Sequence, residues 1–307
     1  MLLKEFFGPA LTRGFWKALY KETNEDNVTN GAAALAYYLL LALFPLLIFM
    51  LSLLPYLPIE NLHERVMGFL AQAMPGDAAR AVESTIAEVT REKKGGLLSF
   101  GAIATLWAAS AGLYAIMQQL NITYDVRESR PFWRARGGAI LLTLMFIVMV
   151  VGSFGLIVFG DVFQAWVDTT FGLAGALDSA FVIGRYVFAL ALMSFGFALL
   201  YYYGPDVEQE FRFVTPGSVI GVLVLVLASL LFNFYVERFG NYAATYGSLG
   251  AVIILMLWLH ITGLVILLGS EINALMEHYS PEGKVKGEKA PGQPRPRTTR
   301  PPEPHPI

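Results

Sequence analysis

The stretch LWLHITGLVILLGSEINAL, residues 257–275, decides the fold class of this chain. Its length and apolar composition are those of a helix that crosses a lipid bilayer, since about 20 apolar residues in a helix span the hydrocarbon. Two side chains in it, His260 and Glu271, do not suit that environment. A charged group at the centre of a membrane helix costs roughly 2.5–3.5 kcal/mol on insertion scales, so Glu271 should face protein or water rather than lipid.

The rest of the chain also has the composition of a membrane protein. Of its 307 residues 55% are hydrophobic and 15% are charged, and its mean hydropathy is +0.54, whereas a soluble domain carries roughly 25% charged residues. Cysteine is absent, which excludes a disulfide, a thiol nucleophile or a cysteine metal site. Since there is also no phosphate-binding glycine loop, HExxH motif or Asp/His cluster, the sequence predicts no enzyme active site, no metal and no cofactor.

Six segments are long and apolar enough to cross a membrane, so the sequence predicts an all-α, polytopic membrane helical bundle. With the N-terminus inside, fifteen lysines and arginines fall on inner segments and six on outer ones, while Arg185 lies within a span. Basic residues favour the cytoplasmic side, so both termini are predicted to be cytoplasmic. The predicted spans are 31–57, 97–123, 137–160, 180–203, 216–236 and 247–276, and together they make up a membrane domain over 31–277.

Three segments lie outside the predicted spans. Residues 1–30 are predicted to be an amphipathic helix in the membrane interface, since apolar residues such as Phe15 and Leu19 recur at helical spacing; a soluble amphipathic helix is the alternative. Residues 58–96 are predicted to form two amphipathic helices on the outer face. Residues 278–307 are proline-rich and are predicted to be a disordered cytoplasmic tail.

The polar residues within the spans are the candidates for chemistry. His260 and Glu271 are eleven residues apart, about three helical turns and roughly 16 Å, and therefore lie on one face. Glu271 either binds a cation, a substrate or protons, or locks two helices through a partner such as Asn273. A neutral, interhelical hydrogen bond is favoured for His260. Arg185 either extends to the lipid headgroups or attracts an anion into an outer cavity.

Other features of the sequence indicate packing or anchoring. Pro45 is expected to kink the first span, because it frees a backbone carbonyl. Ala104, Ala108 and Gly112 form a stripe of small residues that allows a neighbouring helix to approach closely. The basic and aromatic stretch RESRPFWRAR, residues 127–136, resembles a nucleic-acid patch. Between two spans it is better explained as an anchor on anionic lipid, so the predicted partner is membrane lipid and not nucleic acid.

Three longer stretches carry a resemblance to a known family. They are AAALAYYLLLALFPLL (32–47), LWAASAGLYAIMQQLNITYDVRESRPFW (106–133) and YGSLGAVIILMLWLHITGLVILLGSEINA (246–274). They resemble the YihY/virulence factor BrkB family of bacterial inner-membrane proteins, which implies a six-span fold over roughly residues 10–277. His260 departs from the family pattern, in which an aromatic residue is more common. The family's signature positions fall on Tyr37, Pro45, Trp107, Ser110, Asn121, Tyr124, Arg130, Pro205, Pro216, Gly217, Tyr246, Gly247, Trp258, Gly269, Glu271 and Asn273.

The resemblance implies the bacterial cytoplasmic membrane as location and leaves three functions open. The first is a transporter or exporter of a lipid, an amphiphilic solute or an anionic solute, because family members have been linked to serum resistance and to envelope lipid export. The second is a non-transporting envelope scaffold or lipid-organising protein, and the sequence leaves a homo-oligomer open. The third, ribonuclease activity, comes from the family's historical label ribonuclease BN. We disfavour it because no polar cluster outside the membrane is predicted.

The transporter hypothesis assigns roles to individual residues. Its cavity would lie between the first, second and sixth spans. The residues expected to line a cavity or bind substrate are Glu271, Asn273, Asn121, Tyr37, Ser110, Arg185 and His260. Those expected at hinges or helix contacts are Pro45, Ala104, Ala108, Gly112, Gly247, Gly250 and Gly269.

Overall fold

A computed structural model of the chain describes residues 12–53, 95–171, 178–209, 214–239, 248–279 and 288–290. Within these ranges the regular secondary structure is helical, and no strand occurs. The helices in chain order are α1 (Arg13–Glu25), α2 (Val28–Leu53), α3 (Gly95–Thr123), α4 (Phe132–Phe171), α5 (Asp178–Tyr203), α6 (Pro216–Phe239) and α7 (Ser248–His278).

Each of the six long helices overlaps one of the six predicted spans, and the all-helical membrane fold class is confirmed. Over the part of the chain that the structure describes, four helices are long and apolar enough to cross a membrane. The count of six spans and the cytoplasmic termini stay predictions. The four crossing segments are Phe132–Ser153, Tyr186–Tyr203, Pro216–Val236 and Val252–His278, and a shorter apolar helix is Val28–Leu43.

Helix α4 is longer than its predicted span. Its 40 residues make a helix of about 60 Å at 1.5 Å per residue, about twice the thickness of the hydrocarbon. It continues beyond residue 160 to Phe171. The difference arises because hydropathy marks the part of a helix that suits lipid, whereas a helix can continue with polar side chains once it has formed.

Several predictions fall on parts of the chain that are not described. Residues 58–94 of the predicted outer helices, the first eleven residues, Gly247 and the tail after residue 279, apart from residues 288–290, lie outside the described ranges. Helix α2 continues through the position of Pro45, so the proline does not end it. The side chains of Pro45, Ala104 and Arg185 lie outside the described part of α2, α3 and α5.

Helix α1 is joined to the core by its apolar face. Its N-terminus is capped by Thr12, whose Oγ1 accepts a hydrogen bond from the backbone N–H of Phe15 at 3.2 Å. Phe15 and Leu19 are buried and pack against Ile272 and Leu275 of α7. This face is covered by protein, while Trp16 and Tyr20 on the same helix are exposed. Whether α1 lies in the membrane interface stays a prediction.

The chain divides into two compact units, Met1–Leu40 with Ala111–Leu142 and Met193–Ile307, and Leu41–Ser110 with Thr143–Leu192. In the first unit α7 packs along α6. A Cβ added at Gly217 would collide with the backbone oxygen of Gly269, and one at Gly269 with the Tyr201 hydroxyl. Glycine at these two positions therefore lets the backbones of α6 and α7 touch. In the second unit Ser110 is buried, and its hydroxyl donates to the carbonyl of Trp107 at 2.8 Å.

Candidate functional site

Helix ends meet at one end of the first unit, where they bring polar side chains together. The backbone N–H of Asp206, after α5, donates to Asn121 Oδ1 near the end of α3 at 2.7 Å. The backbone N–H of Gly217, at the start of α6, donates to Asn273 Oδ1 in α7 at 2.8 Å. Two groups of charged and polar side chains lie at these helix ends. We call them the arginine network (Asn121, Glu128, Ser129, Arg130, Asp206 and Lys289) and the carboxylate cluster (Glu22, Asp26, Asp125 and Glu271).

Arg130 is the centre of the arginine network. Its Nε donates to Glu128 Oε1 at 2.8 Å and its Nη2 to Glu128 Oε2 at 2.7 Å, which is the paired geometry that suits guanidinium and carboxylate. Its Nη2 also donates to the carbonyl of Gly204 at 2.9 Å, and its Nε lies 3.7 Å from Asp206 Oδ1. Arg130 thereby holds the loop between α3 and α4 against the end of α5.

Asp206 forms the other half of the network. Its Oδ2 accepts from the backbone N–H of Ser129 at 2.8 Å and from the Ser129 hydroxyl at 2.6 Å. It is also paired with the ammonium group of Lys289. The backbone N–H of Glu208 donates to the Lys289 carbonyl at 2.7 Å, so this part of the tail is bound to the segment that follows α5.

Both acids of the network are stabilised in their charged form. Burial by itself would raise the pKa of Glu128, but the hydrogen bonds and positive charge of Arg130, with a hydrogen bond from Asn121, lower it below its ordinary value. Burial would likewise raise the pKa of Asp206, but its bonds to Lys289 and Ser129 lower it. The arginine network is therefore a set of acids that is compensated by neighbouring cations.

The carboxylate cluster has the opposite character. Glu22 and Asp26 lie at the end of α1, and Asp125 follows α3. One carboxylate oxygen from each lies within 4.8 Å of one from each of the others, and all three side chains are half-buried. Three acids from two separate parts of the chain thus meet at one place.

Glu271 adds a fourth carboxylate from inside the helix bundle. It belongs to the crossing segment of α7, and only 1% of its surface is exposed. Its carboxyl group lies against that of Asp26, and after burial the charges that act on it most are those of Asp26, Glu22 and Asp125. Its Oε1 has no hydrogen-bond partner within the described ranges. A buried carboxyl oxygen without a donor is costly, so Glu271 is the residue of this group that most indicates a site.

The backbone near the cluster explains why these acids converge. Asn27 and Asp125 both have positive φ values, 51° and 55°, so the chain turns sharply after α1 and after α3. Asn and Asp tolerate this left-handed conformation better than most residues. The cluster therefore lies beside the C-terminal ends of two helices, which carry partial negative charge. The side chains favour a positive charge at this place, while the N-terminal end of α2, which begins at Val28 beside Asp26, offsets part of the effect of the two C-terminal ends.

The other residues predicted to line a cavity are found in different settings. Asn121 uses both groups of its amide within the arginine network. Asn273 Nδ2 donates to Thr215 Oγ1 at 3.1 Å, while its Oδ1 accepts from Gly217. Tyr37 is 53% exposed and packs edge-on against Tyr38. His260 is partly buried in α7.

The structure therefore brings Glu271 together with residues that were not predicted to be part of a site. Asn121 and Asn273 lie at the same helix ends. Ser110 belongs to the second unit, and Tyr37 lies in α2, which contributes no residue to either group. The residues missed are Glu22, Asp26 and Asp125. A signal exists for two of them, since Glu22 and Asp26 are four residues apart on one face of an otherwise basic helix. Nothing local connects either of them with Asp125.

Comparison with known proteins gives the family. The sequence model described as Virulence factor BrkB matches residues 19–293. The chain is 39% identical over 262 residues to the ribonuclease-like protein YfkH of Bacillus subtilis (strain 168), covering 85% of this chain and 94% of that protein.

Two more distant relatives are each named a UPF0761 membrane protein. That of Vibrio campbellii is 26% identical over 273 residues, covering 87% of this chain and 84% of the relative. That of Ralstonia nicotianae is 24% identical over 280 residues, covering 90% of this chain but only 61% of the relative. No solved structure matches the chain.

Proposed function

The chain belongs to the virulence factor BrkB family, with relatives named as membrane proteins, and we propose that it moves a lipid or another amphiphilic solute across the bacterial cytoplasmic membrane. The observation that carries the proposal is the position of Glu271. It is a buried acid in the apolar helix α7, with one oxygen that lacks a hydrogen-bond donor. An ionisable residue within a membrane helix is by default a hypothesis for a functional site, because its cost in lipid must be met by protein, water or a solute.

The charge around Glu271 favours one class of cargo over another. The sequence leaves open an anionic solute, but three further acids lie beside Glu271. An anion would be repelled at this place, whereas a cation that accompanies an amphiphilic cargo would be attracted. Of the solutes considered, a lipid or another amphiphile suits the site better.

A transport assay on reconstituted protein tests the proposal. The full chain is placed in vesicles that carry a fluorescent phospholipid, and the exchange of this lipid between leaflets is followed with a membrane-impermeant quencher. We expect the wild-type protein to speed exchange at least tenfold over empty vesicles and Glu271→Gln to lose most of that increase. The control is Glu25→Gln, which changes an exposed acid on α1 that is outside the cluster.

Two results of this assay would count against the proposal. If the wild-type protein leaves exchange at the rate of empty vesicles, lipid transport is rejected. If Glu271→Gln and Glu25→Gln exchange lipid as fast as the wild type, transport stands but Glu271 is removed from it.

A non-transporting scaffold is the second candidate. It is favoured by the hydrogen bonds of the asparagines at the helix ends. In Asn121 and in Asn273, both the amide oxygen and the amide nitrogen bond to other residues of the chain. A scaffold needs a rigid bundle and no solute path. Absence of flux, together with an unfolding temperature that Glu271→Gln does not change, would favour it.

We propose that the chain is not a ribonuclease, although its Bacillus relative is named ribonuclease-like. The carboxylate cluster supplies acids of the kind that hold metal in nucleases, but its Glu271 is buried within the bundle and cannot reach the phosphates of a polymer. Incubation of purified protein with tRNA and Mg²⁺ or Mn²⁺ tests this. Cleavage that Asp125→Asn abolishes would overturn it.

The location and orientation are proposed from the same residues. The helix ends that carry both clusters are proposed to face the cytoplasm, in agreement with the surplus of basic residues. Because the chain has no cysteine, a single cysteine at exposed Arg127 or Glu208 can be labelled selectively. We expect an impermeant thiol reagent to label it in inverted inner-membrane vesicles and not in intact spheroplasts; the reverse pattern would overturn the orientation.

A further inference from the structure

We propose that the carboxylate cluster of Glu22, Asp26, Asp125 and Glu271 is a binding site for one hard divalent cation, of the class of Mg²⁺, Mn²⁺ and Ca²⁺. This site goes beyond transport, because it would serve a transporter, a scaffold or an enzyme alike. It also departs from the expectation of the sequence, which predicts no metal.

The spacing of the acids fits a metal ion. Oxygen atoms of Glu22, Asp26 and Asp125 all lie within 4.8 Å of one another. Two oxygens on opposite sides of one ion are separated by about 4.0–4.2 Å for Mg²⁺ and by about 4.6–5.2 Å for Ca²⁺, from their usual metal–oxygen distances. The three side chains can therefore bind one ion with small adjustments of their rotamers.

The buried acid is the independent observation that turns this acidic cluster into a site. Glu271 is 1% exposed, its carboxyl group lies against Asp26, and its Oε1 lacks a hydrogen-bond donor. It approaches the cluster from the interior of the bundle, whereas the other acids approach from α1 and from the turn after α3. Two carboxyl groups in contact repel each other unless a proton or a cation lies between them, and in the proposed site this place is taken by the cation.

The donor set selects the class of ion. All four side chains offer carboxylate oxygen, which hard cations such as Mg²⁺, Mn²⁺ and Ca²⁺ prefer, and none offers the nitrogen or sulfur that favours zinc or copper. A divalent cation would reduce the repulsion among these four carboxylates.

The cation would also have a structural consequence. It would join α1, the turn after α3 and helix α7, which are far apart in the sequence. Phe15 and Leu19 of α1 already pack on Ile272 and Leu275 of α7. The ion would therefore fasten α1 at its C-terminal end, one turn beyond the apolar contact that holds its first half.

Metal binding by the purified full chain tests the site. After removal of metals with a chelator, the protein in detergent is titrated with Mn²⁺, and free Mn²⁺ is measured by electron paramagnetic resonance. We expect one saturable site, with Mg²⁺ and Ca²⁺ displacing Mn²⁺ in order of their affinities. Tb³⁺ should bind at the same place, and its luminescence should be sensitised by Tyr124, which precedes Asp125 in the chain.

Variants separate the proposed ligands from other acids. Asp125→Asn and Glu271→Gln should each weaken Mn²⁺ binding at least tenfold, whereas Glu25→Gln, an exposed acid of the same α1, should leave it unchanged. If Asp125→Asn does not fold, Glu22→Gln replaces it, because Glu22 lies on α1 and is only half-buried. In thermal unfolding, Mn²⁺ should raise the Tm of the wild type and of Glu25→Gln but not of Glu271→Gln.

Two outcomes would overturn the site. One is the absence of saturable binding, with carboxylic acid bands in the infrared spectrum that Glu271→Gln removes, since the acids would then be held by protons. The other is binding that Asp125→Asn, Glu22→Gln and Glu271→Gln leave unchanged. Because these measurements use no transport, Mn²⁺ binding without lipid exchange would reject the proposed transport alone, and exchange without binding would reject the site alone.

Discussion

The arginine network and the carboxylate cluster are built at the same helix ends and differ in how their charge is balanced. In the network Arg130 pairs with Glu128 at 2.7 Å, and Lys289 pairs with Asp206. In the cluster, Glu271 is buried and lies against another acid, Asp26, with Glu22 and Asp125 nearby. The network places acids beside cations, whereas the cluster places acids beside one another.

This difference shows what each region can do. Charged groups that are paired and hydrogen-bonded hold loops in place and have little to gain from a ligand. Like charges gathered beside a buried acid gain most from an added cation, which lowers the energy of all of them together. We therefore read the network as the support of the site and the cluster as the site.

Replacing Arg130, at the centre of the arginine network, should have the largest effect on stability. In Arg130→Ala, Glu128 and Asp206 lose their partner and the carbonyl of Gly204 loses a donor. Breaking a partly buried ion pair in this way should lower the unfolding free energy by about 3 kcal/mol. Thermal unfolding in detergent measures it.

The matched control for that change is Arg127→Ala, which removes an exposed arginine three residues earlier in the same loop. It should change the unfolding free energy by less than about 0.5 kcal/mol. Equal losses in the two variants would show that Arg130 acts only through net charge.

Removing one acid from the carboxylate cluster should change the unfolding free energy in the opposite direction. Without divalent cations, Glu271→Gln should raise the unfolding free energy by about 1–2 kcal/mol, because a neutral amide relieves the repulsion among close carboxylates. The comparison is with Glu25→Gln, whose exposed acid lies 4.0 Å from Lys21 and should contribute little. A loss of stability in Glu271→Gln under chelation would show that repulsion among these carboxylates does not destabilise the fold.

Asn273 offers a neutral polar group two residues from Glu271 and sharpens the comparison further. Asn273→Ala removes the acceptor for the Gly217 backbone N–H at the start of α6 and should lower the unfolding free energy by about 1 kcal/mol, as loss of a helix cap does. Asn273→Asp keeps that acceptor and should recover much of the loss. Gln118→Ala, an exposed amide of α3, is the control. If Asn273→Ala is as stable as the control, this cap does not contribute.

The smallest expected effect is on the dependence of stability on pH. The pKa values of Glu128 and Asp206 are lowered by their partners in the folded protein, after the opposing effect of burial. Their contribution is therefore present above the ordinary carboxyl pKa of about 4 and is lost as the pH falls through the lowered values. We expect the Tm of the wild type to fall more steeply below about pH 4 than that of Glu128→Gln combined with Asp206→Asn. If the Tm of the two proteins falls in parallel with pH, the ionised Glu128 and Asp206 do not stabilise the fold.

The sequence by itself determined the helices and the membrane class. Long apolar runs can satisfy their backbone in lipid only as helices, so hydropathy alone located the six long helices to within a few residues at most ends. It also marked Glu271, because an acid in such a run is costly wherever the helix lies. It did not determine where α4 ends, since the helix continues beyond its apolar part.

Only the tertiary structure decided which polar residues share a site. Glu22 and Asp26 precede the first apolar helix, α2; Asp125 follows the next one, α3; and Glu271 is in the last, α7. No local spacing relates them, since helix ends meet only when the apolar faces pack and the turns at Asn27 and Asp125 direct the chain. The packing that brings Arg130 to Asp206 also brings four acids together. Hydropathy cannot distinguish these outcomes, because it records the cost of a charge and not the charge of its neighbours.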